Sequence, residues 1–122
     1  MALKNYESIK GYWDAKNEWE YSTSRSKARG EGVKIANNTF IFEEGENQES
    51  YRVEYHGNTI IRYTKKGEVF LYSGGGWFTS TTKERLNIFT AYVRVYQKSG
   101  EWFVVVDDRE PVEWSEGIEV SL

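Results

Sequence analysis

The sequence predicts a small, mainly β protein in which an antiparallel barrel follows a helical N-terminal segment. From residue 31 onward, apolar and polar residues alternate with a period of two, which is typical of strands that bury one face. Turn residues interrupt this alternation at short intervals and leave no room for the crossover helices that parallel strands require. The first 30 residues lack such interruptions apart from Gly11. The fold class is therefore α+β with strands dominant.

Residues 1–30 are predicted to form one kinked helix or two short helices. Tyr6, Ile9, Trp13 and Trp19 recur at roughly helical spacing in this segment. The apolar stripe formed by Tyr6, Trp13 and Trp19 is larger than a barrel of about ninety residues can cover. The sequence therefore predicts that the chain self-associates and buries part of this stripe between subunits.

Residues 31–122 are predicted to curl into a small barrel of antiparallel strands. The predicted strands are VKIA, TFIFE, YRVEYH, TIIRYT, EVFLYS, AYVRVYQ, EWFVVV and PVEW. Thr81 and Glu84 have the spacing of a capping box, which predicts a short helix over residues 82–89. With 122 residues, the whole chain is expected to be a single domain.

The composition excludes several classes of protein. A net charge of -3 argues against a protein that coats nucleic acid, because such proteins need a broad basic face. We therefore expect no DNA partner. The absence of cysteine removes disulfide frameworks and favours a reducing compartment. The charged N-terminus does not resemble a signal peptide, and no run reaches the length of a membrane span. A cytoplasmic protein with no membrane partner is expected.

The stretch SGGGWFTSTTKERLN, from Ser73 to Asn87, is the strongest candidate for a binding site. Glycines let a backbone approach a ligand closely, and a tryptophan offers a flat face on which a base can stack. A glycine loop that leads into a helix presents unpaired N–H groups to an anion, and Thr82 and Lys83 could hold phosphate. The stretch is not a P-loop, because Thr82 rather than glycine precedes Lys83. An alternative is that Trp77 merely plugs one end of the barrel.

Arginines outside this stretch could supply further charge. Arg25 and Arg29 lie four residues apart, so they share one face if the helix continues that far, and together they could grip a pyrophosphate. Alternatively, they are solvated cations at the end of a helix. Arg109, in the sequence DDREP, is either a third phosphate ligand or a partner of Asp107 and Asp108.

The sequence offers no recognisable catalytic constellation. His56 lies in a predicted HGN turn without a nearby pair of carboxylates, which indicates an ordinary turn residue. Asp107 and Asp108 are adjacent, so their side chains would point to opposite faces of a strand. No serine lies in a nucleophile elbow, and no spacing suits a metal ion. Binding without turnover, without metal and without cofactor is expected.

Three runs of the sequence resemble a family of small phage proteins. These runs are NNTFIFEE, YHGNTIIRYTKKGEVFLYSGGGWFTSTTKERLN and VYQKSGEWFVV, and they share the family's SGGW, TTK and RxN elements. The chain is similar to the first type of Thoeris anti-defence proteins from about residue 33 to the C-terminus. Residues 72–87 are the most specific part of the resemblance.

The resemblance implies a decorated Sm-like barrel that forms dimers, with larger assemblies such as hexamers in some members. It also implies a sponge that acts in the host bacterial cytoplasm. Such a protein binds the glycocyclic isomer of cyclic ADP-ribose made by bacterial TIR-domain proteins, and it does so without cleaving this messenger. Some members also sequester cyclic oligonucleotides of cGAS-like defence at a separate site.

Carried over residue by residue, the family's pocket aromatic falls on Trp77 and its pocket asparagine on Asn87. Trp77 is expected to stack on adenine and Asn87 to hydrogen-bond a polar edge. Because this sequence has a third glycine and carries Phe78 where a polar residue is common, either ring could stack. Two other functions compete with this one: an Sm-like module that binds single-stranded RNA, and a phosphodiesterase that destroys the messenger.

Overall fold

The computed structural model describes residues 5–22, 32–36, 38–45, 49–76, 79–90 and 92–120, with the backbone alone at 16–22, 36 and 88–90. These residues form two helices and nine strands. The elements are α1 (Tyr6–Ser22), β1 (Val33–Ala36), β2 (Thr39–Glu44), β3 (Ser50–Tyr55), β4 (Asn58–Thr64), β5 (Val69–Leu71), α2 (Ser80–Thr90), β6 (Val93–Lys98), β7 (Glu101–Val106), β8 (Val112–Glu113) and β9 (Ile118–Glu119).

Helix α1 is continuous through Gly11, so the alternative of two short helices is wrong for residues 6–22. The Asn5 side chain caps its first turn by accepting a hydrogen bond from the Ser8 N–H at 2.9 Å. Tyr6, Ile9 and Trp13 lie on one face of the helix and are buried. This face packs on the sheet, where the rings of Tyr6 and Trp13 lie 5.6 and 5.8 Å from that of Tyr51.

This packing corrects the reason given for self-association. Tyr6 and Trp13 are only 5% and 2% exposed within a single chain, so the core of the subunit already covers them. The side chain of Trp19 lies outside the described residues. Among the described residues, Val112 is the large hydrophobic side chain that stands exposed. Self-association itself stays a prediction, and its support is the family resemblance rather than the helical stripe.

The strands form two antiparallel sheets rather than one closed barrel. The larger sheet has the order β1-β2-β3-β4-β5-β9, and the smaller sheet has the order β6-β7-β8. Strand β9, which the sequence prediction missed, pairs with β5 through Phe70 and Leu71. Because β9 occupies that edge of β5, β6 does not continue the larger sheet, and no pairing among the described strands closes a barrel.

Both sheets contribute to one hydrophobic core. Ile41, Tyr51, Val53, Ile61 and Leu71 enter it from the larger sheet and Val95, Trp102 and Val104 from the smaller one, together with Leu86 of α2. The alternation read from the sequence is therefore confirmed by alternating burial, as in β7, where Trp102, Val104 and Val106 are buried. The predicted strands VKIA and EWFVVV coincide with β1 and β7, and the other predicted strands overlap observed ones.

Helix α2 begins two residues before the predicted start at residue 82 and ends one residue after the predicted end at 89. Its N-cap is Thr79 rather than Thr81, since the Thr79 hydroxyl accepts a hydrogen bond from the Thr82 N–H at 3.2 Å. The capping-box assignment to Thr81 and Glu84 is therefore wrong. Thr79, two positions before Thr81, is the residue that caps the helix. Thr82 is the third helical residue after this cap and donates the capped N–H.

Candidate functional site

A cleft of about 420 Å³ opens where the glycine loop and the start of α2 meet the β3–β4 hairpin. Ligand sites commonly measure about 300 to 1,000 Å³. The described lining consists of Tyr55, His56, Asn58, Ile60, Ser73, Gly74, Thr79, Thr81 and Thr82. Five of these residues belong to the stretch from Ser73 to Asn87 that the sequence singled out. The prediction that this stretch borders a binding site is therefore consistent with a concave surface at the same place.

The glycine loop forms the first wall of the cleft. Gly74, Gly75 and Gly76 have φ angles of 76°, 88° and 95°, a left-handed conformation that residues with a Cβ rarely adopt. The loop is anchored at Ser73, which is fully buried. Its N–H donates to the Glu116 carboxylate at 3.0 Å, and its hydroxyl accepts from the Gly76 N–H at 2.9 Å. These bonds fix the backbone that lines the cleft.

The N-terminus of α2 forms the second wall and carries three threonine hydroxyls. Thr79 Oγ1 lies 3.1 Å from Thr81 Oγ1 and 3.0 Å from Thr82 Oγ1. Thr79 and Thr81 are exposed, whereas Thr82 is buried. Hydroxyl groups both donate and accept hydrogen bonds, so this cluster can contact ribose or phosphate oxygens.

The β3–β4 hairpin forms the third wall, which the sequence analysis did not assign to the site. His56 has a φ of 53° and Gly57 a φ of 80°, as a tight two-residue hairpin turn requires. The prediction that His56 lies in a turn is confirmed, and that turn borders the cleft. The Tyr55 and His56 rings lie 4.4 Å apart, which gives the wall an aromatic surface.

Ile60 reaches the cleft because of a β-bulge. The pairing between β3 and β4 shifts at Val53 and Glu54, and both Ile60 and Ile61 are buried although they are adjacent. A bulge places two residues of one strand opposite one of its partner and re-aims a side chain. The adjacent isoleucines in TIIRYT are the sequence signal for this bulge, since strict alternation would expose one of them.

Lys83 and Asn87, both predicted to bind the ligand, lie on a different face of α2 from Thr82. They border an open groove with Ser80, Glu84, Val95, Tyr96 and Gln97. The Val95 N–H donates to Asn87 Oδ1 at 2.7 Å, and Asn87 Nδ2 donates to the Val95 carbonyl at 3.1 Å. Lys83 Nζ donates to Gln97 Oε1 at 3.4 Å. Within one chain, these two side chains contact β6.

The remaining predicted site residues divide into two groups. Arg109 lies exposed in the turn after β7, where its N–H donates to the Val106 carbonyl at 3.0 Å, and it is not part of the cleft lining. Trp77, Phe78, Arg25 and Arg29 lie outside the described residues. In the sequence, Trp77 and Phe78 stand between Gly76 and Thr79, next to residues on two walls of the cleft.

Charge is distributed unevenly around the cleft. Although the chain has 19 acidic residues, none of the described lining residues is Asp or Glu. In the described part of the chain, His, Asp and Glu side chains form no group of three that could hold a metal ion. The expectations of no metal, no cofactor and no catalysis stay predictions.

None of the helices described by the structure is both long enough and apolar enough to cross a membrane.

The fold and the cleft together define a small, mainly β protein with a concave site of about 420 Å³. Residues 18–121 match the family model described as Kyanoviridae Gp96 protein. The chain belongs to this family and is therefore a phage protein. No curated protein and no solved structure matches the chain significantly.

Proposed function

We propose that this phage protein binds and sequesters the glycocyclic ADP-ribose messenger of bacterial Thoeris defence. The messenger contains adenine, two riboses and a pyrophosphate. The proposal assigns these parts to an aromatic ring, to hydroxyl groups and to cations, respectively. The protein acts in the host cytoplasm. It binds the messenger without cleaving it, so the released messenger is chemically unchanged.

The observation that carries this proposal is the coincidence of the cleft with the Ser73–Asn87 stretch. The resemblance to anti-Thoeris proteins is most specific in that stretch, and the cleft of about 420 Å³ is lined by its glycine loop and threonines. A lining without carboxylates suits an anionic ligand, because like charges would repel it. An Sm-like arrangement of the two sheets is part of the proposal.

In this proposal Trp77 stacks on the adenine, with Phe78 as the alternative ring. Thr82 borders the cleft and contacts ribose or phosphate. Arg25, Arg29 and Arg109 neutralise the pyrophosphate. Lys83, Asn87 and Arg109 lie away from the cleft of their own chain, so they would reach the ligand from a neighbouring subunit. The functional unit is accordingly a homodimer or a hexamer built of dimers, and cyclic oligonucleotides are candidate ligands of a separate site.

The experiment that tests the proposal is capture of the messenger followed by its recovery. The protein is incubated with the product of a TIR-domain Thoeris enzyme, freed of small molecules by filtration and heated until it unfolds. We expect the released material to be intact cyclic messenger that activates a Thoeris effector NADase. Affinity should be nanomolar or tighter, about -12 kcal/mol, because a sponge must outcompete the effector.

Trp77→Ala supplies the matched variant, with Phe103→Ala on the outer face of β7 as the control. Loss of base stacking should weaken messenger binding by roughly 1 to 3 kcal/mol in Trp77→Ala only. Release of a linear product would instead favour a phosphodiesterase. Binding of single-stranded RNA without messenger binding would favour the Sm-like RNA module.

A further inference from the structure

Arg85 of α2 lies behind the described lining of the cleft, against Tyr55, and its Nε has no acceptor among the described residues. Its Nε is buried and has no hydrogen-bond partner, and it forms no ion pair with any residue that the structure describes. Arg52 and Arg62, by contrast, bond to the carboxylates of Glu54 and Glu44 at 2.7 and 2.8 Å. A buried guanidinium N–H without an acceptor is costly, so its retention calls for an explanation.

The position of Arg85 relates it to the cleft. Its guanidinium carbon lies 5.5 Å from the centre of the Tyr55 ring, and Tyr55 lines the cleft. Thr81 and Thr82, which also line the cleft, precede Arg85 by four and three residues on α2, so the three side chains follow one another along the helix surface. Stacking on the tyrosine ring holds a planar guanidinium in a defined orientation.

We propose that Arg85 is a further phosphate-binding residue beside the cleft and that Tyr55 orients it. Phosphate in the cleft draws the side chain out from behind Tyr55, where the Nε gains the acceptor that it lacks and the guanidinium fork binds two phosphate oxygens at once. The inference rests on the proposed function, since it assigns the pyrophosphate of the messenger to this cation. It adds Arg85 to Arg25, Arg29 and Arg109, the cations to which the sequence prediction and the proposed function assign the pyrophosphate.

The test compares Arg85→Gln and Arg85→Lys with Arg94→Gln as the matched control. Arg94 also lies over a tyrosine, with its guanidinium carbon 5.3 Å from the Tyr96 ring, but it is exposed on β6 away from the cleft. By calorimetry, glycocyclic ADP-ribose should bind Arg85→Gln about 10- to 100-fold more weakly than wild type. Arg85→Lys should retain part of the affinity, because it keeps the charge but loses the fork. Arg94→Gln should bind like wild type.

The thermal stability of the free protein separates a ligand-binding arginine from a structural one. Because the Arg85 Nε lacks an acceptor among the described residues, Arg85→Gln should have a Tm equal to or higher than that of wild type. A Tm lowered together with an unchanged messenger affinity would overturn the inference and assign Arg85 a role in packing.

A second readout keeps the inference testable if the messenger does not bind or the variant does not fold. The ¹⁵N resonance of Arg85 Nε, assigned by its loss in Arg85→Lys, is followed in wild type during titration with inorganic pyrophosphate. A saturable shift supports phosphate binding at Arg85, and an unchanged resonance overturns it. Wild-type protein that binds pyrophosphate but not the messenger would refute the proposed function and leave this inference standing. A folded Arg85→Gln variant that binds the messenger as tightly as wild type would refute this inference and leave the proposed function standing.

Discussion

Glu44 shows how one carboxylate organises the outer face of the larger sheet. It accepts hydrogen bonds from Arg62 Nε at 2.8 Å, from Arg62 Nη2 at 3.1 Å and from the Ser50 hydroxyl at 3.0 Å. Arg62 also donates to the Tyr72 hydroxyl at 3.2 Å. These residues come from four neighbouring chain segments, so their side chains tie β2, β3, β4 and the end of β5 together across the sheet.

The pKa of Glu44 reflects this environment. Partial burial raises the pKa of the carboxyl, but the hydrogen bonds from Arg62 and Ser50 and the positive charges of Arg62 and Arg52 outweigh burial, so the pKa lies below its ordinary value of 4.5. A lowered pKa in the folded state means that the ionised carboxylate stabilises the fold above the unfolded pKa. This stabilisation is lost as the pH falls through the folded pKa.

Glu44→Gln should therefore remove a stabilisation that depends on pH. At pH 7 we expect the variant to lose about 1 kcal/mol of unfolding free energy, because the pair is partly exposed. The difference from wild type should shrink as the pH falls below 4.5, where Glu44 of the unfolded chain becomes protonated, and should vanish below the lowered pKa of the folded state. Urea unfolding between pH 3 and pH 7 measures it, with exposed Glu113→Gln as the control. A difference that stays constant over this range would contradict the assignment.

Helix α2 is held in place by its contacts on two sides. Leu86 is buried in the core, and Asn87 bonds to both backbone groups of Val95 in β6. An asparagine side chain that pairs with an N–H and a carbonyl acts like an added stretch of strand at the edge of the smaller sheet. The same helix presents Thr81 and Thr82 to the cleft. Anything that loosens α2 from β6 should therefore also loosen the cleft.

Asn87→Ala should destabilise the protein because it leaves two backbone groups of β6 without their partner. We expect a loss of about 1 to 3 kcal/mol of unfolding free energy. Chemical unfolding measures this loss, and Glu84→Ala, one turn earlier and exposed, should change stability little. If Asn87→Ala unfolds like wild type but no longer binds the messenger, the side chain acts on the ligand rather than on the helix.

The molecule as a whole has one core that spans both sheets and α1. Trp13 is buried against Tyr51 and belongs to the same cluster as Val95 and Trp102 of the smaller sheet. A side chain that contacts the subunit's own core stabilises the subunit even without a partner. The oligomeric state and the stability of a single chain are therefore separate questions for this protein.

Trp13→Ala should cost about 3 to 5 kcal/mol of unfolding free energy, since it leaves a large cavity in the core. The loss should be the same at protein concentrations tenfold apart, because the contact lies within one chain. Exposed Glu7→Gln on the same helix is the control. A variant that keeps its unfolding midpoint but dissociates in light scattering would place Trp13 at a subunit interface instead.

The sequence alone determined most of the strands and the glycine loop of this protein. Period-two alternation determined the strands, since adjacent side chains of a strand lie on opposite faces, and β1 and β7 were predicted to the residue. The glycine run determined the loop, because φ angles of 76° to 95° favour residues without a Cβ. The spacing of four between Lys83 and Asn87 already put these two side chains on one helix face.

Only the tertiary structure decided which surfaces meet. Two-residue strands such as β9 carry too little pattern to be recognised, yet β9 occupies the edge of β5 and thereby divides the strands into two sheets. Likewise, helical spacing groups residues by face but does not say what each face contacts. Packing turned the face of Asn87 toward β6 and brought Thr81 and Thr82 to the β3–β4 hairpin, and so made Tyr55 part of the cleft lining and placed Arg85 against Tyr55. Contacts between distant segments depend on how the whole chain buries its apolar area, which no single stretch encodes.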